Sequence, residues 1–511
     1  MPTHQRKGST PGSIESTEPP FHGITSVTSR TSHTEHPPAV AEKPSLPPCD
    51  PSEQTLADKD WTTTEDGNVK PQHPADKEAP RSSESSSSDT LPGDGFTYPE
   101  GGWKAWGVVL GAFTGMTAAF GMMNSIGIFQ AYISTNQLSH YDDSTVGWIF
   151  SIYTFLAFFC GIQIGPIFDQ YGPRMLILAG NICLIASIFF LSVCKEYYQF
   201  LLTFGVLGGV GSSLVFTPAI SSIGHFFQVK RAAATGLASG GGSIGGVIFP
   251  LMLQSLIPKV GWGWAVRILG FIFVFLGCVA QLLIRSRLPP KPGGSVIPDF
   301  RIFKEIPFTL TTAGVFFMEW GLFIPITYIT SYALSTGAID YTFSYQLIAI
   351  LNTGSCLGRW APGFVADRLG RFNCMVVTLT FCFLTTVALW LPDALLSPLG
   401  EYSDNKSAIK GLTIAYALLF GFASGTNISL TPVCVGQLCT TQTYGRYYAT
   451  CYTVVSFGTL TGIPIAGALL QATGGRYWGM VVFTFATYAC AWCSFLGARV
   501  LKVGWTLDVR Y

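Results

Sequence analysis

Two ionisable side chains lie deep inside apolar runs of this chain. Glu319 sits in Phe316-Phe-Met-Glu319-Trp320-Gly321, and Arg359 follows Gly358 ahead of Trp360. A buried charge is costly unless it faces a partner, a ligand or a wet cavity, so each marks a functional site. Glu319 is a candidate proton carrier. Arg359 offers a planar two-pronged donor to an anionic or carbonyl-rich cargo. The alternative is that the two pair only with each other. Asn124, Asn352, Ser355 and Asn427 add hydrogen-bonding groups at the same depth and complete the substrate-binding candidates. Trp148, Trp320, Phe323 and Tyr328 could stack on an aromatic cargo, whereas His225, beside Phe226-Phe227, reads as interfacial. No nucleophile–base pair or metal cluster stands out. Cys490-Ala-Trp-Cys493 lacks partner ligands and reads as packing. The expectation is no enzyme, no metal and no cofactor.

A second set of residues is duplicated. Gly165-Pro-Ile-Phe-Asp169-Gln-Tyr-Gly172-Pro-Arg174 returns as Gly363-Phe-Val-Ala-Asp367-Arg368-Leu-Gly370-Arg371, each copy closing a long apolar segment. A carboxylate at such a turn can accept bonds from a nearby arginine or from the free N–H groups of a helix N-terminus. Contacts of this kind can form in one state and break in another, so the two turns are a candidate gate. A static helix–helix turn is the plainer alternative.

The elements that must position these groups are membrane helices. Only 12% of the 511 residues are charged and 48% are hydrophobic, against roughly a quarter charged in soluble proteins. Apolar stretches long enough to cross a ~30 Å hydrocarbon core recur from Gly107 onward. They fall at 106–133, 145–168, 174–194, 198–224, 232–257, 263–285, 306–335, 343–366, 373–391, 408–434, 445–471 and 477–500. In lipid each must satisfy its own backbone, which requires helices. The fold class is therefore an all-α membrane protein of twelve transmembrane helices in two pseudo-symmetric six-helix bundles.

The repeat supports that division. Thr217-Pro218 answers Thr431-Pro432, Lys230-Arg231 answers Arg446, and Gly242 and Gly246 answer Gly458 and Gly462. Glycines at four-residue spacing let helices approach closely in lipid. The domains are a disordered tail over 1–98, an N-terminal bundle over 99–287, a linker over 288–304, a C-terminal bundle over 305–502 and a short tail over 503–511. The even-numbered loops collect Arg174, Lys230, Arg231, Arg285, Arg287, Lys291, Arg301, Lys304, Arg368, Arg371 and Arg446, more than the odd-numbered loops hold. Basic residues stay inside, so both termini are expected in the cytoplasm, in the plasma membrane or the vacuolar membrane. Asn405-Lys-Ser407 then lies outside as a glycosylation acceptor. Ser82-Ser-Glu-Ser85-Ser-Ser-Ser-Asp89 makes the tail a candidate target of kinases or ubiquitin ligases, with a solvated spacer as the alternative. The other expected partners are a small molecule, the bilayer and protons; there is no basic block for nucleic acid.

The duplicated turn resembles the signature of the major facilitator superfamily. Pro99-Glu100-Gly101-Gly102-Trp103 and Phe226-Phe-Gln-Val-Lys230-Arg231-Ala-Ala-Ala-Thr-Gly236 resemble the monocarboxylate porters within it. The fungal branch fits best. Asn136-Gln-Leu-Ser139, Gly358-Arg359-Trp-x-Pro-Gly363 and Phe457-Gly-Thr-Leu-x-Gly-Ile-Pro464 are similar to riboflavin permeases of that branch. The resemblance implies a secondary transporter working by alternating access. Animal porters of the family carry a lysine where this chain has Asn124 and an aspartate where it has Ser355. Of that trio only Arg359 remains, which argues against proton–lactate symport and for a less charged cargo, riboflavin-like or a larger organic acid. Efflux of a fungal specialised metabolite is the alternative within transport. A nutrient receptor that does not transport is the alternative outside it.

Overall fold

The computed structural model describes residues 97–141, 143–287, 300–397, 405–506 and 509. The tail with its serine cluster, and the linker over 288–299, lie outside the described residues. The segment Phe300–Lys304, expected as linker, is a short 3-10 helix whose Ile302 is buried.

The helices are α1 Trp103–Asn124, α2 Thr145–Tyr171, α3 Arg174–Leu191 and α4 Tyr197–Ile223. A continuous run, Arg231–Leu283, follows. Gly261 at φ 75° divides it into α5 (231–260) and α6 (262–283), using a left-handed conformation that glycine adopts without strain. Then come α7 Ile306–Thr336, α8 Tyr341–Leu369, α9 Arg371–Leu396, α10 Lys406–Gln437, α11 Tyr444–Ala472 and α12 Trp478–Val503. Among the described residues, ten helical runs are long and apolar enough to cross a membrane. The hinge at Gly261 makes one of these two, and α8 completes the twelve. α8 is the least apolar because Asn352, Ser355, Arg359 and Asp367 are spent on other helices rather than on lipid.

The internal repeat is visible in the packing. Gly242 and Gly246 of α5 lie against Phe120 and Asn124 of α1, and Gly458 and Gly462 of α11 lie against Phe316 and Trp320 of α7. α1 stops at Asn124 and resumes as Ile126–Thr135 after a break at Ser125. That interruption puts Asn124 at the end of a half-helix, a position suited to ligands because backbone groups are left over there.

Between the two halves, α5 runs against α8 and α2 against α11. We call these contacts the seams. Both reach the face that carries the first and last described residues, here the terminal face. Lipid provides no hydrophobic drive between helices, so close backbone approach supplies the attraction. A side chain at Gly236 of α5 would meet the Arg359 carbonyl of α8; one at Gly165 of α2 would meet the Gly445 carbonyl and lie 2.5 Å from the Ala449 methyl. Within the C-terminal half, Gly358 packs as closely on the Phe422 carbonyl of α10.

These two kinds of glycine should behave differently. Gly358→Ala overpacks a contact made inside one bundle and is expected to cost about 1–3 kcal/mol of stability, read as a lower melting temperature of the purified protein. Gly236→Ala obstructs a seam between halves and is expected to leave the melting temperature within a few degrees while blocking the alternating access that the resemblance implies. Equal losses of stability in both variants would show that the seams belong to the permanent fold.

Candidate functional site

Each seam ends on a carboxylate. Asp169, at the end of α2, accepts the backbone N–H of Gly445 at 2.9 Å and of Arg446 at 2.8 Å. Asp367, at the end of α8, accepts those of Ala232 at 3.0 Å and Ala233 at 2.9 Å. These donors open α11 and α5, and first-turn N–H groups have no partner within their own helix. The duplicated aspartates thus cap helices of the opposite half, with the helix dipole adding to the attraction. Of the partners allowed by the sequence, both aspartates take helix N-termini, and Asp367 also feels the charge of Arg371. Arg174 and Arg368 are exposed. Arg371 donates to the Gln228 carbonyl across the α5–α8 seam. Gly172 at φ 80° and Gly370 at φ 101° end the preceding helices in conformations reserved for glycine.

Further groups close the same face. Glu100, at φ 47°, accepts three backbone N–H groups just before α5, from Gln228 at 2.6 Å, Val229 at 2.7 Å and Lys230 at 3.0 Å. Arg231 crosses into the C-terminal half, its guanidinium 4.0 Å from the Tyr444 ring centre and Nη1 3.4 Å from the Gly436 carbonyl. Below it, Tyr444, Tyr448 and Tyr452 follow one another along α11 with ring centres 5.8 and 4.9 Å apart. Phe158 of α2 and Phe216 of α4 meet Tyr452 at 5.2 and 5.5 Å. This aromatic column fills the space between halves from the terminal face to mid-membrane. His225 is buried rather than interfacial, 3.1 Å from the Ser286 hydroxyl and 5.3 Å from the Phe168 ring. Burial, and secondarily Arg231, hold its imidazole down at about 4.

Above the column lies the polar cluster. Arg359 is 2% exposed; its Nη1 donates to the Ser239 carbonyl of α5 at 2.6 Å and its Nε to Ser355 Oγ at 3.3 Å. Ser243 Oγ of α5 donates to Ser355 Oγ at 3.1 Å. Asn124 Nδ2 donates to the Gly242 carbonyl at 3.1 Å, and Asn352 Nδ2 to the Gly246 carbonyl at 3.4 Å. Four of the five substrate-binding candidates therefore meet on one glycine-lined stretch of α5. Glu319, 3% exposed on α7, lies within electrostatic reach of the Arg359 guanidinium and of the Tyr452 hydroxyl. The Arg359 nitrogens nonetheless go to serines, not to Glu319. The fifth candidate, Asn427, is elsewhere: it accepts from Thr378 at 2.8 Å and donates to Cys382 at 3.2 Å, both on α9. It ties α9 to α10 inside the C-terminal half. Asn405 is exposed at the start of α10.

Sequence reasoning missed the aromatic column, although the four-residue spacing of Tyr444, Tyr448 and Tyr452 places them on one helix face. It quoted Glu100 and Arg231 only as parts of motifs. Ser239 and Ser243 carry no signal of their own, since serine is common in lipid-buried helices and their partners are distant in sequence.

The sequence profile of the Major Facilitator Superfamily matches residues 108–401. Riboflavin transporter MCH5 of Saccharomyces cerevisiae is 35% identical over 433 residues, covering 80% of this chain and 80% of that protein. Aspyridones efflux protein apdF of Emericella nidulans is 37% identical over 410 residues, covering 79% of this chain and 80% of its own. The crystal structure of the human organic anion transporter MFSD10 (TETRAN) superposes with a TM-score of 0.57 at 14% identity, over 76% of this chain and 98% of that one. The relatives are named as transporters or efflux proteins, and the receptor reading finds no support among them.

The caps can be read directly. The amides of Ala232 and Ala233, and of Gly445 and Arg446, are protected by partners in the other half. Asp367→Asn should speed hydrogen exchange at Ala232 and Ala233 by about tenfold, the effect of losing ~1.4 kcal/mol. Asp169→Asn should do the same at Gly445 and Arg446. Unchanged protection would assign the seams to the glycine contacts alone.

Proposed function

Because the chain belongs to the Major Facilitator Superfamily, we propose that it carries a small organic molecule between its halves, bound at Arg359, Asn124, Asn352 and Ser355. The observation behind this reading is the convergence of these four on the α5 glycine face, at the break in α1 and above the aromatic column. The seams on the terminal face act as one gate. The geometry described is the state in which that gate is shut, and alternating access requires a second state in which the caps are released to water. The terminal face is cytoplasmic, a reading supported by the basic loop residues, and the membrane is the plasma membrane or the vacuolar membrane.

The cargo carries carbonyl or carboxylate acceptors and little net charge, as a flavin or a larger organic acid does. Neutral Asn124 and Ser355 beside a single guanidinium suit such a molecule, and the relative named for riboflavin transport supports it. Export of a specialised metabolite is the second reading. It is supported by the efflux proteins named for aspyridones and, in Gibberella fujikuroi, for fujikurins, the latter 36% identical over 409 residues. Glu319 is the proton-coupling group, and the tail is the place where kinases or ubiquitin ligases would act. No catalytic role is assigned to any residue.

Two measurements test this function. In cells matched for surface expression, Arg359→Lys should cut riboflavin transport at least tenfold, because an ammonium cannot reproduce a planar two-pronged contact. Glu319→Gln should remove its pH dependence while preserving exchange of labelled for unlabelled cargo. Near-normal transport by the double variant, with both positions neutral, would leave the pair a structural one.

Orientation is tested separately. Asn405 should carry glycan or react with an impermeant reagent after Asn405→Cys, whereas the terminal face should be reached only in opened cells. Labelling of that cysteine only from the cytosol would invert the topology.

A further inference from the structure

The Arg359 guanidinium spends its shortest bond on the opposite half of the molecule, 2.6 Å to the Ser239 carbonyl. The neighbouring hydroxyls reinforce that choice. Ser243 of α5 donates to Ser355 at 3.1 Å, which leaves Ser355 Oγ able to accept Arg359 Nε at 3.3 Å. The space for the guanidinium is a glycine: a Cβ on Gly242 would stand 3.1 Å from Arg359 Nη1. We propose that Arg359 is a clasp as well as a cargo anchor: in the empty carrier it locks α5 to α8 through Ser239, with Ser243 and Ser355 as positioning residues, and a cargo acceptor releases the lock by replacing the Ser239 carbonyl.

The physical reasoning is one of competition. A guanidinium at this depth must keep its hydrogen bonds filled, because an unmet charged donor costs more than any single bond returns. With the cargo absent, a backbone carbonyl is the acceptor within reach, and it belongs to the other half. When a cargo carbonyl or carboxylate takes its place, the guanidinium stays satisfied while the seam loses its central bond. The ties that remain include Asn352 on Gly246 at 3.4 Å, Ser243 on Ser355 at 3.1 Å, Arg371 on the Gln228 carbonyl and Asp367 on the amides of Ala232 and Ala233. Specificity follows from the same exchange. A molecule that fits the space but lacks an acceptor for Arg359 binds without freeing α5, and is not carried. Serine at position 355 matters here. An acid in its place would pair with Arg359 within α8, and the arginine would no longer need α5.

This inference rests on reading Arg359 as the cargo anchor, and two arms keep the ideas separable. Both use full-length carrier in lipid nanodiscs and hydrogen exchange of Ala232 and Ala233, whose amides are held by Asp367 about 18 Å along α8 from Ser355. In the cargo-free arm, Ser243→Ala and Ser355→Ala should each speed that exchange about fivefold to tenfold. A purely local role would leave those distant amides unchanged, and unchanged exchange overturns the clasp. In the second arm, riboflavin, with binding followed by quenching of its fluorescence, should speed wild-type exchange by a similar factor but add little in Ser243→Ala, a position outside the cargo contacts. Riboflavin that binds and leaves exchange unaltered overturns the competition. Absence of riboflavin binding overturns the cargo assignment and the exchange of partners with it, while the serine arm still decides whether Arg359 clasps the seam.

Discussion

A helix that begins at a membrane boundary leaves its first N–H groups without partners, and something must accept them. In this protein the acceptors at α5 and α11 are Asp367 and Asp169, each on the other half. The rest of the arrangement depends on this trade. Each aspartate can reach its amides only if the backbones nearly touch, so Gly165 and Gly236 stand where they do. With the backbones in contact, the tyrosines of α11 are driven between the halves as a column, and Arg359 is brought to the Ser239 carbonyl.

Magnitudes decide whether such a structure can move. Four charge-assisted bonds at roughly 1.5–3 kcal/mol each would hold the halves shut if nothing replaced them. The caps, however, sit at the membrane boundary, where water can take over both carboxylate and amides on opening. The net contribution per bond then falls to about 0.5–1.5 kcal/mol, a scale on which a bound molecule can tip the balance. The same bonds made at mid-membrane, without access to water, would be far harder to release. Arg359 lies at that depth, which is why its release needs a replacement acceptor and not merely thermal motion.

The sequence made the membrane fold plain because lipid imposes a length and a hydropathy on every crossing segment, and the duplicated turn and the glycine pairs exposed the repeat. Asp169 and Asp367 were legible from the duplicated turn, and Arg359, Asn124 and Asn352 because a polar group inside an apolar run has few other reasons to be there. The same rule gave Asn427, which instead serves Thr378 and Cys382. Polarity at depth signals a required partner but not which side of the helix supplies it. Ser239 and Ser243 stayed hidden for the converse reason: small hydroxyl residues satisfy themselves on their own helix so readily that their type carries no information about a distant contact.

The distance in sequence between each cap and its helix has a consequence for synthesis. Asp169 leaves the ribosome 276 residues before Gly445, by which time the whole first bundle has entered the membrane. α5 in turn begins with Ala232 and Ala233 uncapped until α8 arrives. A nascent first half therefore presents a carboxylate and two amides at one face of the bilayer whose bonds in the finished fold wait on the second half. It is a bundle that can insert but not finish. Completion waits on the second half of the same polypeptide, and chains truncated between the bundles present that face, still open, to whatever surveys the membrane for incomplete proteins.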